Sequence, residues 1–295
     1  MLRNVQLLFK VIRMITARDS RARVRRFYEL VPPNQEFIGR STTYLNVGYW
    51  APGCDSQDEA SIALAERLAA AAEFHLDQTI LDVGFGYGDQ DFAWLRENKV
   101  RKVFGVNLTP HQVAAARERA AREGLLDRTD FRIGSATELP FESASFDRVV
   151  ALESAFHFFP RSAFFEEAFR VLRPGGKLCT ADIIPVDVAT QRSSFQSGPL
   201  SWIRFGTEDA NWHNSATYLE QLAEAGFTGA TAESIRDRTW EPWRQNMVTK
   251  FASPGYQEKV GKSAFKGISR NWGDQPRMKK ELELLDYVIS VAHKP

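Results

Sequence analysis

Ile80-Leu81-Asp82-Val83-Gly84-Phe85-Gly86-Tyr87-Gly88 is the stretch that decides the fold. It reads as a buried β-strand, 79–83, that carries a carboxylate near its end and breaks at once into alternating glycines. Glycine has no Cβ and enters φ > 0 freely, so the backbone can turn tightly around a small ligand. Between 89 and 98 the spacing of Phe92, Trp94 and Leu95 fits a helix. Strand, glycine turn and helix N-terminus together make a nucleotide-type site. The dinucleotide fingerprint is G-x-G-x-x-G, with the helix aimed at a pyrophosphate. Here the spacing is G-x-G-x-G, and Asp89 stands at the helix start, where it suits the helix dipole and repels a pyrophosphate. A cationic ligand without phosphate fits better, and S-adenosylmethionine, with its sulfonium and ammonium groups, is such a ligand.

Outward from this turn the chain alternates helix and strand, the pattern of a parallel sheet with helices on both faces. Ser56 and Glu59 make a capping box for a helix reaching about residue 74. A second strand is expected at 102–106, then a helix started by Thr109-Pro110 and ended by Gly124. Strands follow at 130–133 and at 146–151, the latter apolar enough to be central. A helix at 161–172 stops at Pro174-Gly175-Gly176, and a fifth strand fills 177–183. A helix at 215–225, a strand at 229–235 and an alternating strand at 285–292, read as a terminal edge strand, complete the sheet. Two long segments, 185–214 and 240–283, are rich in aromatic residues and are read as lids over the carboxyl ends of the strands. The chain divides into 1–54, an N-terminal helix and cofactor-closing segment, and 55–295, the main domain.

The 43% hydrophobic content is ample for one core, and a net charge of +1 gives no nucleic-acid signal. Cys54 and Cys179 match no redox or zinc spacing, which points to a reduced, cytoplasmic setting. Residues 3–26 hold Arg3, Lys10, Arg13, Arg18, Arg21, Arg23, Arg25 and Arg26 against one acid, Asp19. Leu7, Leu8, Val11, Ile12 and Ile15 fall at helical spacing among them. This basic amphipathic helix has three readings: packing on its own domain or a second copy in a homo-oligomer, peripheral docking on an anionic membrane, or disorder.

The Asp82-x-Gly84-x-Gly86-x-Gly88 pattern resembles motif I of the class I S-adenosylmethionine-dependent methyltransferases. Gly48-Tyr49-Trp50, Leu81-Asp82-Val83-Gly84-Phe85-Gly86, Gly134-Ser135-Ala136-Thr137-Glu138-Leu139-Pro140-Phe141, Leu152-Glu153-Ser154-Ala155-Phe156-His157 and Asp182-Ile183-Ile184-Pro185 occur in order. As a set, from about Tyr44 onward, they look most like the erythromycin-type macrolide sugar 3''-O-methyltransferases. The resemblance implies an α/β Rossmann-like fold: a seven-stranded, mostly parallel sheet with an antiparallel terminal strand, an N-terminal helix and helical lid insertions. It also implies S-adenosylmethionine as cofactor and a small-molecule acceptor. The cofactor residues it points to are Tyr44, Asp82, Gly84, Gly86 and Gly88, then Asn107, Leu108, Gln112, Ser135, Ala136, Thr137 and Glu153. Two of these depart from the pattern: Asn107 stands where an acid usually holds the ribose, and Ser135 where an acid usually meets adenine. Gln112 has a second reading as a capping-box partner of Thr109, and Tyr49 and Trp50 are read as core aromatics.

Methyl transfer to a hydroxyl needs alignment of donor and acceptor, exclusion of water and a base. His157, after the fourth strand, is the expected base, and the resemblance pairs it with Asp182 at the end of the fifth. His213 is a second candidate base in the lid. The five histidines are dispersed and Asp182 has no acidic neighbour in sequence, so no metal is expected. Methylation at carbon or nitrogen, of a prenyl, quinone or amine acceptor, is the alternative chemistry; for it, Phe156, Phe158 and Phe159 would shield a carbocation. A cofactor-binding subunit without activity and a nicotinamide dehydrogenase are the readings from other classes.

Overall fold

A computed structural model describes residues 16–17, 19–29, 41–97, 99–187, 189–190, 192–195, 200–253, 255–256, 258, 266, 272 and 275–295. The apolar positions at 7–15 expected to form the amphipathic helix lie outside them. The helices and strands, in chain order, are α1 (Ser20–Tyr28), α2 (Gln57–Ala71), β1 (Thr79–Val83), α3 (Asp89–Arg96), β2 (Lys102–Asn107) and α4 (Pro110–Arg122). They continue with β3 (Thr129–Ile133), β4 (Phe146–Leu152), α5 (Arg161–Val171), β5 (Leu172–Pro185) and α6 (Ser201–Gly206). The remainder are α7 (Ser215–Glu224), β6 (Thr228–Ser234), α8 (Trp240–Ala252), α9 (Gln275–Glu283) and β7 (Leu285–His293).

The seven strands run in the order β3-β2-β1-β4-β5-β7-β6. β1 to β5 pair in parallel, while β7 lies antiparallel between β5 and β6. β7 is therefore not the edge strand that its alternation suggested. The edge is β6, whose Thr228–Ser234 stretch is mostly exposed, whereas β7 is buried from Tyr287 to Ser290. β4 is central, as its apolar run predicts. Successive residues of a strand face opposite sides of the sheet. Ile80 and Val150 join a core with α2, while Leu81 and Val149 join one with α5 and α7.

The local signals hold at the helix ends. Ser56 and Glu59 cap α2 reciprocally, Pro110 opens α4, and Gly124 follows it at φ +69°. The segment 240–283 departs from expectation. Its Trp240, Trp243, Phe251 and Trp272 pack with one another and onto Tyr287 of β7 in the sheet core, and none of its described residues lines the cavity at the strand ends. The roof there comes from α1 instead. Arg21 donates to Thr137 at 2.7 Å, Arg23 pairs with Glu208 at 3.0 Å, and Val24 and Tyr28 face into the cavity. These residues thus pack on their own domain.

Candidate active site

A pocket enclosing about 790 Å³ of space, open solvent included, sits at the carboxyl ends of β1, β2 and β4. Gly84 and Gly86, at φ +82° and +60°, form part of its wall. A Cβ on Gly84 would stand 2.6 Å from Ser154 Cβ, so this glycine lets the turn after β1 pack on the turn after β4. On Gly86 a Cβ would meet only Leu45 Cδ1, at 4.0 Å, and the missing side chain leaves room for a ligand. Gly88 packs towards Phe92 and Asp91 of α3 and does not line the cavity.

Asp82 is not at the wall either: it is fully buried. One of its oxygens accepts from Gln90 Nε2 at 2.8 Å, and the other, like both oxygens of Asp91, has no hydrogen bond among the described residues. Desolvation pushes both carboxyls up, Asp82 to about 6 and Asp91 well above the carboxylate range, and the Asp82 charge raises Asp91 further. The acid of the glycine motif is a structural group here, joined through Gln90 to the carbonyl of Phe85.

Asn107 and Gln112 meet at the wall. Asn107 Nδ2 donates to Gly86 O at 3.2 Å and to Gln112 Oε1 at 2.8 Å. Thr109 makes no side-chain cap, so Gln112 faces Asn107 rather than closing a capping box. Its Nε2 is buried facing the Tyr87 phenol, which burial pushes up to about 12 and contact with Gln112 draws down, and among the described residues it has no close hydrogen bond. Across the cavity, Asn46 presents a buried Oδ1 that has no hydrogen bond among the described residues. Its segment is held by Asp89, which accepts from Thr43 N and Oγ1 and pairs with Arg119 at 2.5 Å. Tyr44 lines the same wall, its phenol pushed up chiefly by burial. This wall suits S-adenosylmethionine. Gly86 leaves the room, Gln112 offers a donor to a ribose hydroxyl, and Asn46 offers an acceptor to an ammonium.

After β3, Gly134 and Ala136 line the cavity, whereas the side chains of Ser135 and Thr137 turn to each other at 3.0 Å. Thr137 Oγ1 also accepts from Arg21, so these hydroxyls close the loop and tether α1 instead of facing a ligand.

At the opposite end, residues 155–157 form a short turn after β4 that carries His157 into the cavity. The imidazole makes two hydrogen bonds: Nε2 to Tyr28 OH at 2.9 Å and Nδ1 to Gly206 O at 2.7 Å. Burial pushes it down to about 4, so it is neutral at about pH 7. The expected pairing with Asp182 is not made. Asp182 accepts from Phe156 N and Ile183 N, both at 2.9 Å, and faces Arg161 at 3.3 Å in a fully buried ion pair. It thus holds the turn that bears His157 rather than the ring. Glu153 lines the cavity at φ +48°, a strained conformation for a side-chain-bearing residue. Its Oε2 accepts from Val47 N at 2.9 Å and Tyr287 OH at 2.7 Å, and burial pushes the carboxyl up to about 8. His213 is turned to the carbonyl of Ala210, away from the cavity.

Comparison with known proteins bears on this geometry. A methyltransferase-domain profile matches residues 81–180. The chain is 42% identical to erythromycin 3''-O-methyltransferase of Saccharopolyspora erythraea, with 94% of this chain and 91% of that one covered. The chain is a class I S-adenosylmethionine-dependent methyltransferase. It is also 32% identical to 27-O-demethylrifamycin SV methyltransferase of Amycolatopsis mediterranei, over 85% of this chain and 90% of that one. Among solved structures, the [4+2]-cyclase SpnF superposes with a TM-score of 0.72 at 24% identity, covering 94% of this chain and 96% of that one. That likeness is one of fold.

Of the residues expected at the methyltransferase site, the cavity brings together Tyr44, Gly84, Gly86, Asn107, Leu108, Gln112, Ala136, Glu153 and His157. Asp82, Gly88, Ser135, Thr137 and Asp182 lie behind its wall. Tyr49 and Trp50 pack against the core, as expected. Sequence reasoning missed Tyr28, Gly206, Asn46 and Tyr287. No local pattern joins Tyr28 to a histidine 129 positions away.

Proposed function

We propose that this methyltransferase transfers the methyl group of S-adenosylmethionine to a hydroxyl oxygen of a bulky, largely apolar natural product, with a macrolide glycoside as the leading acceptor class, and that His157 takes the hydroxyl proton. The likeness to erythromycin 3''-O-methyltransferase supports the glycoside, and that to 27-O-demethylrifamycin SV methyltransferase supports O-methylation of a natural product. One observation carries the proton step: a neutral His157 holds a hydroxyl, that of Tyr28, at 2.9 Å from Nε2 inside the cavity.

S-adenosylmethionine supplies a methyl already activated on a sulfonium. The wall at Gly86, Asn107, Gln112 and Asn46 would hold it. A carbonyl oxygen cannot donate, so the Gly206 contact places the imidazole proton on Nδ1 and leaves the Nε2 lone pair for a hydroxyl. The Tyr28 hydroxyl occupies that position here, and an acceptor hydroxyl takes it over. As the acceptor oxygen bonds to the methyl carbon, the methyl–sulfur bond would break and its electron pair would stay on sulfur, so that S-adenosylhomocysteine leaves. The hydroxyl proton would pass to Nε2. His157 gains one positive charge as the donor loses one, so the buried site carries the same total charge before and after.

A carbon acceptor finds less support. Of the three phenylalanines that would shield a carbocation, only Phe158 lines the cavity; Phe156 packs in the core and Phe159 is exposed. The test is a methyl-transfer assay against macrolide glycosides, phenols and prenyl compounds, with the product methyl located by mass fragmentation. An O-methylated glycoside is expected, and a product methylated at carbon or nitrogen overturns the proposal.

A further inference from the structure

We infer that the backbone carbonyl of Gly206, at the end of α6, is the positioning group that fixes the tautomer and the plane of the His157 ring. The inference rests on the reading of His157 as the base and adds how that base is set. An orienting group usually comes as a carboxylate behind the histidine, and topology places Asp182 nearest that role. Its carboxylate is spent elsewhere, on Phe156 N, Ile183 N and Arg161. The acceptor at 2.7 Å from Nδ1 is the Gly206 carbonyl, 49 positions along the chain.

The position has to be glycine. A Cβ built there would lie 2.5 Å from His157 Cε1 and 2.9 Å from Nδ1. The next nearest atom is again of the imidazole, Nε2 at 3.8 Å. The backbone at Gly206 is not in the left-handed region, so the absent side chain serves the close approach of the imidazole rather than the turn. The rest of the box is aromatic: Phe156 lies at 3.9 Å between centroids, and Tyr28 stands edge-on at 5.5 Å. With Phe156 against the ring and Tyr28 and Gly206 on its two nitrogens, the ring is held in one plane, and the carbonyl chooses which nitrogen is bare. An uncharged acceptor also leaves the imidazole neutral, where a carboxylate would favour the protonated form.

The placement has a consequence for the 185–214 segment. α6 lies within it and packs against α1, which carries Tyr28. Both partners of the imidazole therefore come from segments outside the sheet, and the base is set only when both are seated.

The experiment is nitrogen NMR of the full chain with labelled histidine and bound S-adenosylhomocysteine, reading the tautomer of His157 at about pH 7. The signal is assigned by its loss in His157→Ala. The wild type is expected to show the Nδ1–H form alone. The Nε2–H form or a mixture overturns the inference without recourse to any variant at Gly206. In Gly206→Ala, the added methyl is expected to displace the ring, turning the signal into a mixture and lowering kcat about 10²-fold, with S-adenosylhomocysteine affinity retained. A wild-type kcat in that variant would overturn it as well. If the tautomer is as stated but His157→Ala keeps full turnover, the proton-acceptor reading fails while the positioning by Gly206 stands.

Discussion

The two ends of the cavity are built in different ways. The donor end, at Gly86, Asn107, Gln112 and Ala136, comes from the segments that follow β1, β2 and β3 of one parallel sheet, with Asn46 as the outside member. The acceptor end is assembled from three distant places: Tyr28 on α1, His157 after β4 and Gly206 on α6. The first is rigid because the strand register fixes it. The second exists only when two segments outside the sheet close on one imidazole. On the proposed reading, the donor end fixes what the enzyme carries, and the acceptor end fixes where it is delivered.

The largest effect expected from separating the ends is at His157. His157→Ala should lower kcat by about 10²–10⁴-fold with little change in S-adenosylmethionine affinity, since general-base groups contribute on that scale. Calorimetric affinity and turnover measured together check it, and a parallel loss of both would show the ends to be one unit. Next comes Asn107, whose amide donates to two acceptors, Gly86 O and Gln112 Oε1. Asn107→Asp, which restores the acid usual at this position, should weaken S-adenosylmethionine binding by about 1–2 kcal/mol, roughly tenfold in Kd, because it sets a carboxylate against those acceptors. Tighter binding would mean that the amide pair is not what shapes this wall.

The smallest effect is at Glu153, which ties the 44–50 segment to β7 between the two ends. Its carboxyl is raised from 4.5 to about 8 in the folded state, so the folded chain holds a proton that the unfolded chain has lost. The stability it contributes is complete below about pH 4.5 and is lost as the pH rises through about 8. Glu153→Gln should remove that slope, seen as a difference in denaturant midpoint between variant and wild type across the window. Parallel curves would rule out a buried proton at this carboxyl.

The same contrast explains what the sequence could reveal. The strands, the capped helices and the glycine turn were legible because each rests on neighbours in the chain. Asn107 and Gln112 were legible too, being five positions apart at one strand end. Asp82 carried the motif signal yet lies behind the wall, because Gln90 and Asp91, buried with it, turn it inward. Asp182 was expected at His157 from its strand end alone, and the deciding neighbour, the fully buried Arg161, starts a different helix. Gly206 gives no signal at all, since its role is the absence of a methyl beside a ring that only the tertiary fold brings near.

The central claim, that a neutral His157 takes the proton from a hydroxyl, is tested most directly by the pH profile of single-turnover methyl transfer with the donor prebound. With the imidazole pushed down to about 4, the rate should stay flat from about pH 7 to about pH 5 and fall only below that, and His157→Ala should lack that fall. A limb centred near 6.5, the value of an ordinary imidazole, or a profile that survives unchanged in His157→Ala, would contradict the account.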